Sequence, residues 1–73
     1  MADRADEVKK LVGIATDLEL TAELRIKAAD SIGNIGTHEA LLALLNLAGN
    51  EALLKDERDR AVKHARGLIK AGH

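Results

Sequence analysis

The residue types best suited to chemistry in this 73-residue chain are found in the adjacent pair His38 and Glu39. Imidazole nitrogen and carboxylate oxygen both bind metals, but a protein site needs several such ligands together. The pair opens a predicted helix, where the helix dipole favours a carboxylate without any metal. His64 and His73 have no accompanying cluster of carboxylates and histidines, and the chain has no cysteine. We therefore predict no metal site and no cofactor.

The sequence supports nucleophilic catalysis and phosphate binding no better than it supports metal binding. Ser31 lies in a predicted helix without a positioned base, and there is no cysteine to act as a nucleophile. The glycines of residues 33–36 are better explained as a helix end than as a phosphate-binding loop. Aromatic residues are absent, so the chain has no platform on which single-stranded bases could stack. We predict that the protein is not an enzyme.

Basic side chains are concentrated near the end of the chain, in the last predicted helix. Such a cluster could contact phosphates, so a nucleic-acid-binding module is one alternative function. Asp56, Glu57 and Asp59 are interleaved with it, and the formal net charge of the chain is −1. We therefore favour a solvated charged face over an acidic protein partner, and nucleic acid is not the expected partner. The basic residues are Arg58, Arg60, Lys63, His64, Arg66 and Lys70.

The elements that position these residues are predicted to be four α-helices. Apolar residues make up 47% of the chain and charged residues 32%, a balance typical of a folded domain rather than a disordered segment. Apolar side chains recur every three or four positions and proline is absent, which indicates an all-α fold. Thr21 and Thr37 suit helix N-caps, and Gly36 suits a helix end. The predicted ranges are about 3–16, 22–35, 38–48 and 56–70.

Three of the helices carry one apolar stripe each, and we expect these stripes to be buried. The third helix is apolar on every face, which is typical of a helix surrounded by others, so we place it at the centre of the fold. Leu53 and Leu54 precede the fourth helix and are expected to fold back on the core. The predicted stripes are Val8, Leu11, Val12 and Ala15; Leu24, Ala28, Ala29, Ile32 and Ile35; and Ala61, Val62, Ala65, Leu68 and Ile69.

The chain contains an internal repeat. A shift of 33 residues aligns the first helix with the third, so that Val12 coincides with Leu45. A shift of 36 residues aligns the second helix with the fourth, so that Ile32 coincides with Leu68. Self-similarity of this kind is typical of stacked arrays. We predict a single domain, residues 1–73, with two helix-pair copies at about 6–36 and 39–72.

Residues 25–47 carry a more specific pattern: an arginine, paired small residues, a glycine-ended helix, a short polar turn and a leucine-rich helix. The residues are Arg25, Ala28, Ala29, Ile32, Gly33, Ile35, Gly36, Thr37, His38, Glu39, Ala40 and the run 41–47. The pattern resembles one HEAT-like repeat, of the subtype also found in phycobilisome lyase proteins. The resemblance implies a four-helix minimal α-solenoid of HEAT-like helical hairpins, whose apolar faces are buried by stacking.

The resemblance has two further implications. One full repeat flanked by half repeats has too few neighbours to cover its ends, so we expect self-association, with a homodimer as one form. The lyases are longer arrays that enclose a pigment, so an accessory subunit of a larger enzyme is a second alternative function.

The alignment of the two copies singles out Leu42 and Ala43, which coincide with Lys9 and Lys10 of the first copy. If both helices have the same orientation, these residues form an apolar patch on the inner surface, with Asn46 beside them. Inner surfaces of such arrays bind partners, and an exposed apolar patch indicates an interaction site. The alternative is that the third helix is simply more buried than the first.

Together these patterns predict a non-catalytic protein–protein interaction module, a small adaptor or scaffold whose partner is another protein. No apolar run approaches the roughly 20 residues that span a bilayer, so we expect no membrane partner. The chain begins with charged residues and without an apolar signal core, so we expect a cytoplasmic protein.

Overall fold

The computed structural model describes residues 4–72, which form four α-helices and no strand. The all-α prediction is confirmed for this part of the chain, and each predicted helix end within it lies within one residue of the observed end. The predicted start of the first helix at Asp3 lies outside the described residues, as does His73. The helices are α1 (Arg4–Ala15), α2 (Ala22–Ile35), α3 (His38–Ala48) and α4 (Lys55–Lys70).

The ends of α2 and α3 form at the capping residues. The Oγ1 of Thr21 accepts a hydrogen bond from the backbone N–H of Leu24 (3.3 Å), and that of Thr37 accepts one from Ala40 (3.2 Å). Both predicted N-caps are confirmed. Gly36 ends α2 with a φ of 70°, in the left-handed region where a Cβ is unfavourable. This turn lets α3 begin almost directly after α2.

Two helical hairpins pack side by side. Helix α1 packs against α2, and α3 packs against α4, while the hairpins meet through α1 with α3, α2 with α4 and α2 with α3. Among the described residues, α1 and α4 have no contact. Helix α1 therefore lies beside α3, and α2 lies beside α4, in a slab that measures 30 × 30 × 16 Å.

The core is built around Ile32 of α2 and Leu44 of α3, the two largest fully buried side chains of the described residues. More than half of the buried apolar residues are alanines, and such small side chains let the helices approach closely. The packing of α2 on α4 is tight at Gly33, where a Cβ would lie 2.5 Å from Nδ1 of His64 on α4. Any side chain at this position would force the imidazole to move. The other buried apolar residues are Val8, Ala15, Ala28, Ala29, Ala40, Leu41, Ala43, Leu47, Leu53, Ala61 and Ala65.

The apolar stripes of α2 and α4 are wider than the surfaces that the fold buries. The prediction that Leu24, Val62 and Ile69 are buried is wrong, because all three side chains are exposed. The four helices leave part of each helix surface without a neighbour, so the apolar residues on that part stay in contact with solvent. The periodicity of the apolar residues predicts the stripe, but it does not determine how many neighbouring helices cover that stripe.

Helix α3 and the segment before α4 are also less buried than expected. Leu42 and Leu45 are exposed, so α3 is not surrounded on every face. Leu53 is buried as predicted, whereas Leu54 is exposed, and the prediction that it folds back on the core is wrong. The fold uses the backbone of Leu54 instead, because its N–H donates a hydrogen bond to Glu57 (3.1 Å).

Candidate functional site

A groove of about 330 Å³ lies between α1 and α3. Apolar side chains from both helices form most of its surface, with a few polar groups among them. The groove is open to solvent, so the chemistry it can offer is to hold apolar side chains of another molecule. Its lining residues are Val8, Lys9, Val12, Glu39, Leu42, Ala43 and Asn46.

The three predicted patch residues, Leu42, Ala43 and Asn46, all line this groove. Leu42 is 49% exposed and Asn46 is exposed, whereas Ala43 is buried. The alternative, a deeper burial of the third helix, therefore describes Ala43 but not Leu42. The structure adds Val8 and Val12 of α1 to the same surface, although the sequence pattern assigns both valines to the core.

The predicted basic residues of α4 differ in their surroundings. Arg60 donates two hydrogen bonds to the carboxylate of Asp30 on α2 (3.0 and 3.1 Å). Arg58 is half-buried, and its Nε has no hydrogen-bond partner among residues 4–72. Binding of phosphates by the whole cluster would require Arg60 to leave Asp30 and Arg58 to become exposed. Besides Arg60, the exposed members are Lys63, Arg66 and Lys70.

Asp30 is the centre of a polar cluster that joins α2 to α4. It also accepts a hydrogen bond from Nε2 of His64 (2.6 Å), and this nitrogen carries the proton because a carboxylate can only accept. Burial raises the pKa of Asp30, but the hydrogen bonds from His64 and Arg60 outweigh it and hold the pKa below its usual value. The cluster fixes the two hairpins relative to each other.

Acid should weaken this contact between α2 and α4. Because the pKa of Asp30 is lowered in the folded state, its contribution to stability is complete above the unfolded-state pKa and is lost as the pH falls through the folded-state pKa. The cluster is partly exposed, so we expect a loss of less than about 1 kcal/mol. Urea unfolding from neutral to strongly acidic pH measures it. The loss should be smaller in Asp30→Asn, and an equal loss in both proteins would contradict the prediction.

A second charged pair, Arg25 of α2 and Glu57 of α4, is buried. The Nε of Arg25 donates to Oε1 of Glu57 (2.8 Å), and an Nη lies 2.6 Å from the same oxygen. The other Nη donates to the backbone carbonyls of Leu20 (2.7 Å) and Asp17 (3.3 Å) in the α1–α2 loop. The second oxygen of Glu57 accepts the backbone N–H of Leu54 and so caps α4. Both charges bind groups of the fold itself, so the pair is structural.

The sequence pattern does not assign these roles to Arg25 and Glu57. It identifies Arg25 only as part of the repeat, and Glu57 only as an acid among basic residues. One signal was available, because Arg25 lies one turn before Ala28 and Ala29, on the stripe predicted to be buried. A buried arginine needs an acidic partner, but nothing in the spacing distinguishes Glu57 from the other carboxylates of the chain.

Three further findings bear on function. Within residues 4–72, no group of three or more His, Cys, Asp or Glu side chains is arranged to hold a metal ion. In the same part of the chain, no helix combines the length and the apolarity needed to cross a membrane. The chain matches no protein-family model, and no curated protein or solved structure is significantly similar to it.

Proposed function

We propose that this protein is a non-catalytic protein-binding module, a small adaptor or scaffold that holds an amphipathic helix of another protein in the α1–α3 groove. The observation that carries the proposal is the half-exposed Leu42 on a mostly apolar groove surface. Apolar surface in contact with water is unfavourable, and its burial by the apolar side chains of a partner is favourable.

The form and the charges of the groove support a helical partner. The groove lies between two packed helices, and an amphipathic helix can fill such a groove with apolar side chains spaced three or four residues apart. Lys9 and Glu39 come from opposite helices, so the groove presents one charge of each sign to the polar flanks of the partner.

We also propose that the two hairpins form a minimal HEAT-like α-solenoid that self-associates. The neighbours of each helix support this arrangement, because α1 lies beside its repeat counterpart α3, and α2 lies beside its counterpart α4. Stacked helical hairpins have this order. The exposed apolar flanks of α2 and α4 support self-association, since a further hairpin would cover them.

The substitution Leu42→Lys tests the groove. The side chain is half-exposed, so the change should leave the free energy of unfolding within about 1 kcal/mol of the wild type. It places a charge on the apolar surface, so the partner should be lost from pull-downs out of the source lysate. A peptide copying the helix of the captured partner should bind the wild type and not the variant, as measured by fluorescence anisotropy.

Leu54→Lys is the matched control, because Leu54 is a similarly exposed leucine that does not line the groove. It should retain both the partner and the peptide. Retention of the peptide by Leu42→Lys, or its loss from Leu54→Lys as well, would refute the groove as the binding site.

The two alternative functions stay predictions. A nucleic-acid-binding module would depend on Lys63, Arg66 and Lys70, three exposed basic residues of α4. An accessory subunit of a larger enzyme would bind that enzyme as its protein partner. A cytoplasmic location also stays a prediction.

A further inference from the structure

Both ends of the paired hairpins carry large apolar side chains in contact with solvent. On the α1–α2 hairpin these are Ile14 and Leu24, which are 42% and 46% exposed. On the α3–α4 hairpin they are Leu45, Val62 and Ile69, which are 47%, 40% and 56% exposed. We call the first two residues the N-terminal end face and the other three the C-terminal end face.

The end faces point away from the contact between the hairpins. Gly33 of α2 packs against α4, and Arg60 of α4 is bonded to α2. Leu24 lies about two and a half turns from Gly33 along α2, and Ile69 lies the same distance from Arg60 along α4. Residues with this spacing are on opposite sides of a helix. Leu24 and Ile69 are therefore on the two outer surfaces of the stack.

The internal repeat relates these outer surfaces to the contact inside the molecule. In the alignment with a shift of 36 residues, Leu24 is equivalent to Arg60 and Gly33 is equivalent to Ile69. The C-terminal end face thus occupies the flank of the second hairpin that corresponds to the contacting flank of the first. The N-terminal end face likewise corresponds to the flank by which the second hairpin contacts the first.

Helices α1 and α3 obey the same relation. Val12 of α1 lines the groove against α3, and the shift of 33 residues places it on Leu45 of the C-terminal end face. The same shift places Ile14 of the N-terminal end face on Leu47, which is buried on α3. For α1 with α3 and for α2 with α4, the C-terminal end face therefore corresponds to one side of the contact between the hairpins. The N-terminal end face corresponds to the other side of that contact.

We infer that the C-terminal end face of one copy of this chain binds the N-terminal end face of a second copy, head to tail, and so continues the internal stack. This inference rests on the self-association in the proposed function and specifies its geometry. The contact is heterologous, so each assembly keeps one uncovered face at either end and growth continues beyond the dimer unless a ring closes.

The contact between copies differs in polarity from the contact between the two hairpins of one copy. Inside the molecule, Asp30 binds Arg60 across the hairpins. Between copies, the equivalents of these two residues are Arg66 and Leu24, which cannot form an ion pair. The contact between copies is therefore mainly apolar, and its strength should depend little on salt.

Leu24→Glu and Ile69→Glu each block one end face. Both side chains are exposed, so the helical content should be unchanged, which circular dichroism verifies. In sedimentation velocity at increasing concentration, the wild type should grow beyond a dimer, and each variant alone should associate at least about tenfold more weakly. An equal mixture of the two variants restores one intact contact, so it should form dimers and nothing larger.

Leu42→Lys is the matched control, because this leucine is similarly exposed but lies in the groove. It should self-associate like the wild type but lose the groove partner. The end-face variants should keep the groove partner but self-associate more weakly. A failure of head-to-tail stacking is thereby distinguished from a failure of the groove function. A strictly monomeric wild type, a dimer that survives either end-face substitution, or a mixture that stays monomeric would overturn the inference.

Discussion

Arg25→Ala should lower the free energy of unfolding by about 3–5 kcal/mol, because it leaves the buried carboxylate of Glu57 without its cation. The same change removes the donor to the backbone carbonyls of Asp17 and Leu20. A single core of this size rarely supplies more than about 3–5 kcal/mol of stability. Much of the variant should therefore be unfolded without denaturant, as measured by urea titration and circular dichroism.

Three further variants separate the buried pair from a general loss of charge. Lys27→Ala removes an exposed cation of the same helix, paired with Glu23 at 3.7 Å, and should cost less than about 0.5 kcal/mol. Arg25→Lys should rescue little, because an ammonium lacks the fork that reaches Glu57 and both carbonyls. Replacing both members, Arg25→Met with Glu57→Leu, should cost less than Arg25→Ala alone. A loss in Arg25→Ala no larger than in Lys27→Ala would refute the role of the pair.

Leu44→Ala should lower the free energy of unfolding by about 2–5 kcal/mol. Leu44 is fully buried near the centre of α3, and more than half of the other buried apolar residues are alanines. These small side chains cannot extend into the space that the missing atoms leave, so a cavity remains. The chain has no aromatic side chain that could fill it. The midpoint of urea unfolding, compared at equal protein concentration, measures the loss.

Leu42→Ala is the control for this prediction, because it removes the same atoms from the same helix at a half-exposed position. Its cost should be well under half that of Leu44→Ala, since less apolar surface is returned to water and no closed cavity forms. Equal costs for the two substitutions would show that the core is not centred on Leu44.

The helices and their ends could be predicted because their signals act locally. Thr21 and Thr37 each bond a backbone N–H three residues further on, and Gly36 needs only its own φ. None of these depends on which helices become neighbours. The arrangement of the helices is different, since Arg25 and Glu57 are 32 residues apart and only the packing of α2 on α4 brings them together.

The sequence predicts only part of the candidate site, because the groove also depends on which helices become neighbours. Comparing the two copies singles out Leu42, because a leucine coincides with a lysine that would normally face water. Val8 and Val12 are missed because one apolar stripe of α1 serves both the core and the groove. The exposure of Leu24 and Ile69 could not be predicted, since it depends on which helices become neighbours of α2 and α4.

The two oxygens of Glu57 have a consequence for how the molecule opens. In repeat proteins, terminal units can fray because each unit touches only its neighbours. Here one carboxylate holds both the first turn of α4 and, through Arg25, the loop that precedes α2. If either segment detached alone, the buried Arg25 or Glu57 would lose its partner and remain charged in the interior. The α3–α4 hairpin is thereby coupled to the α1–α2 hairpin, which favours cooperative unfolding of all four helices over local fraying.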